Sequence, residues 1–449
     1  MLAFLARHEW RLLTADAVVR LVIVVFGAAL AGASFLGVLR GAREQRTFEA
    51  FAARASQQRA QPSAVRADVF ANDQGVLALL PPAPLGRLAV GQSDVYPSYI
   101  KITARHLDSL VTGDQIEHPL AVASGHFDAA FVILFLYPLL IFAVGFDLTA
   151  TERDRGTLRM VLAQPVALGD IIAGKMIARW LLLAVPAVVI PMLFGVGTEP
   201  ALLGVWMIAV LAYGLVWHGL ALIVNARGWN AATNALVLAG IWLLFAVVGP
   251  ATINLLITVV YPMPSRVEAA VQARAATQEA TVQGSRQLGQ FLQDHPTSAN
   301  VGREGMRQFA LLQAARDKQI ADRLRAVESA FDVQLGRQQR LVSWLGVLSP
   351  TMIAQQVLLE CAGTSATRFH HFDRTAASFQ RQWQAYFQPL VLDAATLTGA
   401  EIANAPTFTY SEPPVSDRVR RVVPAIAGMM LVGAALLFLG FRHYRGYAL

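Results

Sequence analysis

The chain has 449 residues, of which 55% are hydrophobic and only 15% are charged. Because soluble domains contain about 25% charged residues, this balance indicates a membrane protein. The single cysteine, Cys361, excludes an intrachain disulfide and a cysteine-based zinc site. The net charge of +7 is modest. No basic stripe with interleaved aromatic residues accompanies it, so nucleic-acid binding is not expected.

Six segments are long and apolar enough to cross a membrane, which takes about 20 residues of helix. They are residues 17–39 (TM1), 129–146 (TM2), 180–198 (TM3), 201–224 (TM4), 231–259 (TM5) and 422–441 (TM6). Pro186 and Pro191 are acceptable inside TM3, because neighbouring helices can satisfy the carbonyls they free. Gly249-Pro250 predicts a kink or a re-entrant end in TM5.

The basic residues indicate the orientation of the spans. They are concentrated before TM1, between TM2 and TM3, between TM4 and TM5, and after TM6: Arg7, Arg11, Arg20, Arg153, Arg155, Arg159, Lys175, Arg179, Arg227, Arg442 and Arg445. The short link between TM3 and TM4 has Glu199 and no basic residue. Positive residues favour the cytoplasmic side. We therefore expect both termini, including the tail 442–449, and residues 147–179 in the cytoplasm, with 40–128 and 260–421 outside it.

The N-terminal residues 1–16 alternate between leucines and polar side chains, around Trp10. This pattern predicts an amphipathic helix lying in the membrane interface; a frayed tail is the alternative. Ala29-Leu30-Ala31 resembles a signal-peptidase site. However, the apolar run continues to Leu39, and Glu9 and Asp16 precede it, so we expect an uncleaved span.

The two long extracytoplasmic segments hold about half of the chain, enough for a folded domain. The first is proline-rich around 81–84 and has a strand-like stretch at Tyr96–Thr103. The second predicts an amphipathic helix over 303–348, ended by Ser349-Pro350, from the spacing of Phe309, Leu312, Ile320, Leu324, Val327, Phe331 and Leu335. Shorter helices are expected near 351–361 and 367–388, followed by an extended stretch at 408–410. For the two segments to meet, the outer ends of TM1, TM2, TM5 and TM6 must be neighbours. The fold class is an all-α membrane protein with minor β structure in this domain.

One stretch matches the first seven positions of a phosphate-binding loop: Gly169-Asp170-Ile171-Ile172-Ala173-Gly174-Lys175. The next residue should be Ser or Thr to hold magnesium, and it is Met176. No apolar strand leads into the loop either. We therefore expect no ATP hydrolysis by this chain, and no catalytic, cofactor or metal site in it.

Four other polar features have an ordinary interpretation and a functional alternative. His370-His371 with Asp373 could ligate a metal, but adjacent histidines point to different faces of a helix. His218, inside TM4, is a functional candidate by its depth, although a hydrogen-bonded packing role is favoured. Asn234 and Asn254, in TM5, are expected to bond between helices rather than line a pore.

The segment 151–165 between TM2 and TM3 is the most informative part of the sequence. Leu158, Val161 and Leu162 form an apolar face on a short polar helix, which Pro165 ends. Such a helix can bind a soluble partner or lie on the lipid headgroups.

This segment resembles the signature of ABC-2-type permeases, the membrane subunits of ABC exporters. The matching residues are Glu152, Gly156-Thr157-Leu158, Leu162, Pro165-Val166 and Gly174-Lys175. The outer segments resemble a subgroup with a large extracytoplasmic insertion, related to gliding-motility and copper-enzyme-maturation permeases. The residues that carry this likeness are Val95-Tyr96-Pro97-Ser98-Tyr99, Ser349-Pro350, Ala362-Gly363-Thr364, Phe372 and Phe408-Thr409-Tyr410.

The resemblance implies a bacterial inner-membrane permease that works with a second permease chain, identical or related, and with two copies of a cytoplasmic ATPase that binds ATP and magnesium. Membrane lipids and a periplasmic protein are the other partners it implies. The residues expected to couple to the ATPase are Glu152, Arg155, Gly156, Thr157, Leu158, Leu162 and Pro165. Two alternatives remain open: an ATP-driven complex that acts on a periplasmic partner without moving cargo, and a membrane-anchored interaction protein without an ATPase.

Overall fold

The computed structural model describes most of the chain. The described residues are 1–59, 64–94, 96–104, 107–108, 126–163, 166–197, 199–262, scattered positions between 271 and 286, 333–393 apart from 335, 339 and 343, and 395–445. Most of the amphipathic helix expected over 303–348 lies outside these residues. Its described part, from 333 to 346, is helical.

Six helical segments of the described chain are long and apolar enough to cross a membrane, which makes this a multi-pass membrane protein. They are TM1 (Ala17–Gln57), TM2 (Ala129–Asp154), TM3 (Leu168–Gly195), TM4 (Pro200–Ala226), TM5 (Ala231–Val260) and TM6 (Val415–Tyr444). Consecutive spans run in opposite directions. We call the side that carries both chain ends the termini face, and the opposite side the domain face.

Two spans extend well past their apolar segments. The helix of TM1 continues to Arg59, beyond the bilayer-length segment 17–39. TM3 begins at Leu168 rather than at 180, because the charges of Lys175 and Arg179 are paired and bonded inside the protein. Its first turns include the phosphate-loop imitation 169–175, which is therefore helical.

TM4 lies at the centre of the bundle and packs closely on TM6. Glycines allow the two backbones to approach. A Cβ atom added at Gly219 would lie 2.7 Å from the Leu436 side chain, and one added at Gly440 would lie 2.7 Å from that of Leu222. The shared core is rich in aromatic side chains, with Trp206, Tyr213 and Trp217 buried.

TM2 and TM5 are both interrupted by a π-helical turn next to a proline. In TM2 the π turn is Val132–Leu136, followed by the helix Tyr137–Gly145 with Pro138 in its first turn. In TM5 it is Leu243–Val248, followed by Gly249–Val260 with Pro250 in its first turn. The expected interruption at Gly249-Pro250 is thus present as a π turn, a common site of helix bending.

Residues 333–362 form a hairpin that enters the bundle from the domain face and returns. The descending part begins at the end of TM5, where Gln338 donates to the Tyr261 carbonyl at 2.5 Å. The turn at Ser349-Pro350 lies beside Tyr213, the middle residue of TM4 and about 20 Å from either end of that helix. The ascending helix, Pro350–Ala362, is about 20 Å long and returns to the domain face, where the Ala362 carbonyl accepts a hydrogen bond from Leu85.

The segments between TM1 and TM2 and between TM5 and TM6 fold together into one loop domain at the domain face. Strand β1 (Val65–Arg66) pairs with a strand near residue 396, and the strand Tyr99–Ile102 pairs with its neighbours Val76–Leu79 and Leu107–Asp108. The helix Ala366–Leu392 packs Phe372, Phe379 and Trp383 into the same core. In the structure the two segments share this core, the strand occupies Tyr99–Ile102 within the stretch Tyr96–Thr103, and helices occupy Pro350–Ala362 and Ala366–Leu392. Residues 408–410 have no strand pairing.

Candidate functional site

Two short helices join TM2 to TM3 at the termini face. Helix α1 (Ala150–Asp154) ends TM2, and helix α2 (Thr157–Leu162) follows after Arg155 and Gly156. The Asp147 carboxylate accepts from the Thr151 backbone N–H at 2.8 Å, which fixes the start of α1. Gly156 has φ +73, a left-handed conformation that glycine adopts without strain. The chain can therefore turn sharply between the two helices.

Glu152 ties α1 to TM3. The Lys175 ammonium donates to the Glu152 carboxylate at 2.6 Å and to the Leu148 carbonyl at 2.8 Å. Lys175 is buried and the Glu152 side chain is partly exposed. Glu152 was expected to contact the ATPase; in the structure its carboxylate is bonded to Lys175, and this bond fixes the position of α1.

Arg179 connects the same region to the N-terminal helix Leu2–Ala15. Its guanidinium donates to Glu9 at 2.9 Å and to the Val144 carbonyl at 2.8 Å, and both charged side chains are buried. Close by, a Cβ atom added at Gly174 would lie 2.7 Å from Leu5. The N-terminal helix thus packs directly against TM3 instead of being a frayed tail.

Two asparagines hold the end of TM2 against TM4 and TM5. The Asn225 side chain accepts from Leu148 at 3.0 Å and donates to the Gly145 carbonyl at 2.9 Å. Asn234 donates to the Phe146 carbonyl and to Asn225, at 3.2 Å each. The expected role of Asn234 between helices is confirmed. The end of TM2 is therefore bound to TM3, TM4 and TM5.

The outer surface of α1 and α2 is accessible. Arg155, Gly156 and Thr157 are exposed, Leu158 is half-buried, and Met160 is 74% exposed. Leu162 lies in α2, where only its backbone is described, and Pro165 lies outside the described residues. Thr157 donates through its hydroxyl to the Glu152 carbonyl at 3.1 Å. Among the side chains described here, Arg155 and Met160 are exposed on these helices, and we call the surface they define the α1–α2 surface.

Sequence reasoning missed three contributors to this site: Met160, Glu9 and Asn225. Met160 was overlooked because the apolar positions Leu158, Val161 and Leu162 were taken as the whole face. Glu9 was treated as part of an interfacial helix, because its buried partner Arg179 lies 170 residues away along the chain. Asn225 lies in the last turn of TM4, where a polar side chain is a signal for a hydrogen bond between helices.

The remaining candidates from the sequence lie elsewhere. His218 is buried and its Nδ1 lies 2.8 Å from the Gly214 carbonyl, which fits the packing role favoured for it. His371 lies 3.2 Å from the Ser411 carbonyl and its ring contacts Tyr410. Asn254 is exposed on TM5. Across the described part of the chain, no group of three or more His, Cys, Asp and Glu side chains is placed to hold a metal ion.

Comparison with known proteins locates one family match. Residues 266–411 match a domain of unknown function, DUF3526. The matched range is about a third of the chain and lies between TM5 and TM6, so it includes the hairpin and the part of the loop domain that follows it. No curated protein matches the chain. The family description names no activity.

Proposed function

We propose that the chain is the membrane-spanning permease subunit of an ABC transporter, and that the α1–α2 surface binds a separate ATPase subunit. The observation that carries this proposal is the combination of an exposed contact surface with an anchored base. Met160 and Arg155 face outward, while Glu152 and Asp147 bind α1 to the ends of TM3 and TM2. A partner that displaces this surface would therefore also displace the spans to which it is bonded.

The working unit in this proposal is two permease chains with two ATPase copies in a bacterial inner membrane, with the termini face in the cytoplasm. ATP binding and hydrolysis occur in the ATPase, and this chain contributes no catalytic residue. Closing of the ATPase pair displaces α1 and α2. Through Lys175 and Asn225 the displacement reaches TM3 and TM4, and through TM2 it reaches the domain face.

The proposal is tested by replacing the apolar contacts of the α1–α2 surface. The double substitution Leu158→Asp and Met160→Asp places two charges where an apolar partner surface is expected, so the ATPase should no longer co-purify in mild detergent. The readout is ATP hydrolysis by the purified complex together with photolabelling of a co-purified subunit by azido-ATP. Tyr386→Asp, on an exposed position of the loop domain, is the matched control and should leave both signals unchanged.

If the double variant retains normal ATPase activity and photolabelling, the α1–α2 surface is not the binding site. If no ATP-binding subunit co-purifies with the unaltered chain from native membranes, the transporter proposal fails. The chain would then be a membrane-anchored interaction protein.

A second candidate function is an ATP-driven complex that moves the loop domain and exports nothing. It is favoured by the loop domain having its own core, by ion pairs within that domain, and by an ion pair between TM6 and the hairpin. Arg368 pairs with Glu412 and donates to the Pro81 carbonyl at 2.8 Å, and Arg421 pairs with Glu360 at 2.7 Å. Both functions predict an ATP-dependent change in maleimide labelling of Ser411→Cys. Export alone predicts ATP-dependent accumulation of a substrate in sealed proteoliposomes.

A further inference from the structure

Pro138 in TM2 and Pro250 in TM5 each remove a backbone donor directly after a π turn, because proline has no N–H. In TM2, Tyr137 donates to the Val132 carbonyl, five residues earlier, and the next residue is Pro138, so the carbonyls that follow Val132 have fewer helical donors than a continuous helix would supply. In the π turn of TM5, Gly249 donates to Leu244, five residues earlier. The next donor in that pattern is Pro250, which cannot donate to Phe245. The Leu134 and Phe245 carbonyls lie beside these missing donors, inside the hydrocarbon region, where an unsatisfied polar group is unfavourable.

Each of the two carbonyls accepts a side-chain hydrogen bond at or beside the turn of the hairpin. The Ser349 hydroxyl donates to the Phe245 carbonyl at 2.6 Å. The Tyr213 hydroxyl donates to the Leu134 carbonyl at 2.7 Å and lies 3.1 Å from the Thr351 hydroxyl, which can donate to it. The hairpin tip, Ser349 to Thr351, therefore bonds directly to broken TM5 and, through Tyr213, to broken TM2.

The other end of the hairpin is held by different and more numerous contacts. The Arg418 guanidinium donates to the Cys361 carbonyl at 3.3 Å, at the C-terminal end of the ascending helix. Glu360 accepts from Arg421 at 2.8 Å and from the Ser365 hydroxyl at 2.5 Å. The descending part carries Trp344, 81% exposed, and the exposed Val347 and Leu348, and Gln338 bonds it to the Tyr261 carbonyl at the end of TM5.

We infer that the hairpin tip is a conformational latch. While Ser349 and Thr351 are bonded, TM2 and TM5 are held in the form that contains the π turns. When the two spans straighten at their π turns, the tip leaves, and the hairpin pivots on its fixed end at Glu360 and Cys361. The latch is independent of which partner drives the spans, because its contacts all lie within this chain.

The test uses cysteine protection at the two ends of the ascending helix. Ala354 is buried one turn from the tip, and Cys361, the only cysteine, is buried at the fixed end. The tip reporter is Ala354→Cys in a Cys361→Ser background, and the fixed-end reporter is the native Cys361. N-ethylmaleimide labelling is followed in lipid nanodiscs for each reporter, with and without a change at the latch.

Removing one latch hydroxyl should raise labelling of the tip reporter, because a lost hydrogen bond shifts the ratio of open to closed states by about fivefold. Thr351→Val should therefore accelerate labelling about fivefold, and Thr351→Val with Ser349→Ala about 30-fold. Thr351→Ser keeps the hydroxyl and should restore the parent rate. Labelling of Cys361 should stay at the parent rate in every variant.

Thr252→Val is the matched control, because Thr252 donates to the Val248 carbonyl at 2.8 Å in the same bend of TM5 without touching the hairpin. The latch is refuted if Thr351→Val leaves tip labelling within about twofold of the parent. It is equally refuted if Cys361 labelling rises in parallel, since the whole helix would then be loosened, or if Thr252→Val gives the same rise. Should Ala354→Cys not fold, hydrogen exchange of the 352–356 amides in the native chain gives the same comparison.

Discussion

Gly37 in TM1 allows the closest backbone approach between a span and the loop segments. A Cβ atom added there would lie 1.8 Å from the Arg87 carbonyl oxygen, and contacts under 3.0 Å require something to move. The obstructing atom belongs to the backbone of a segment that is itself fixed, because Leu88 and Leu85 are buried and Arg87 donates to the Phe194 carbonyl. Gly37→Ala therefore has to separate TM1 from this segment by more than 1 Å. Overpacking of this kind costs about 3 kcal/mol, at the upper end of the usual range.

TM1 supplies its own controls for this substitution. Gly32 and Gly41 lie in the same helix, and a Cβ atom at either would meet nothing within 4 Å. Because alanine is the better helix former, Gly32→Ala and Gly41→Ala should be neutral or stabilising by up to about 1 kcal/mol. The assay is thermal unfolding of the purified protein in mild detergent, with the three variants compared side by side. If Gly37→Ala melts at the same temperature as Gly41→Ala, the packing of residues 84–88 on TM1 is wrong.

Three further predictions concern the termini face and the start of TM2. Glu9→Gln leaves the buried Arg179 guanidinium without its carboxylate partner, so the N-terminal helix should open more often. Trypsin should then cut at Arg7 or Arg11 about 30-fold faster, which is equivalent to about 2 kcal/mol. Glu199→Gln is the control and should have no effect. Gly156→Ala should lower the free energy of unfolding by about 1 kcal/mol for the left-handed backbone alone, since nothing lies within 4 Å of the added Cβ. Thermal unfolding in mild detergent should show this loss, and an unchanged midpoint would contradict the left-handed turn between the two helices. Burial raises the pKa of the Asp128 carboxyl above its usual value of 3.8. The folded state therefore holds that proton more tightly than the unfolded state does. The stability that Asp128 contributes should fall as pH rises from about 4 through its folded-state pKa. Asp128→Asn should remove that fall in a pH series of unfolding curves, and an unchanged pH series would contradict it.

The six spans could be predicted from the sequence because a helix that crosses the bilayer must be long and apolar, and both properties are visible in the hydropathy of the sequence. The start of TM3 could not be predicted, because burial of Lys175 and Arg179 is unfavourable without their acidic partners. Those partners are Glu152 and Glu9. Those partners are separated from them along the chain by 23 and 170 residues. No local pattern encodes such pairs.

The hairpin shows the same limit more sharply. Ser349-Pro350 marks the end of one helix and the start of the next in the sequence, and this was predicted. Its depth was not, because a helix of 13 residues is too short to span, and only the contacts of Ser349 and Thr351 with TM5 and TM4 place it at the middle of the bundle. Similarly, β1 pairs residues 65 and 66 with 397 and 396, and strands of two residues carry no sequence signal.

The central claim is that the α1–α2 surface lies on the side of the membrane where ATP is present, opposite the loop domain. The most direct test is membrane-impermeant maleimide labelling of Thr157→Cys and of Ser411→Cys, each in a Cys361→Ser background, in sealed vesicles of known orientation. Thr157→Cys should react only in inside-out vesicles, and Ser411→Cys only in right-side-out vesicles. The opposite pattern would place the α1–α2 surface away from any ATPase and would contradict the account.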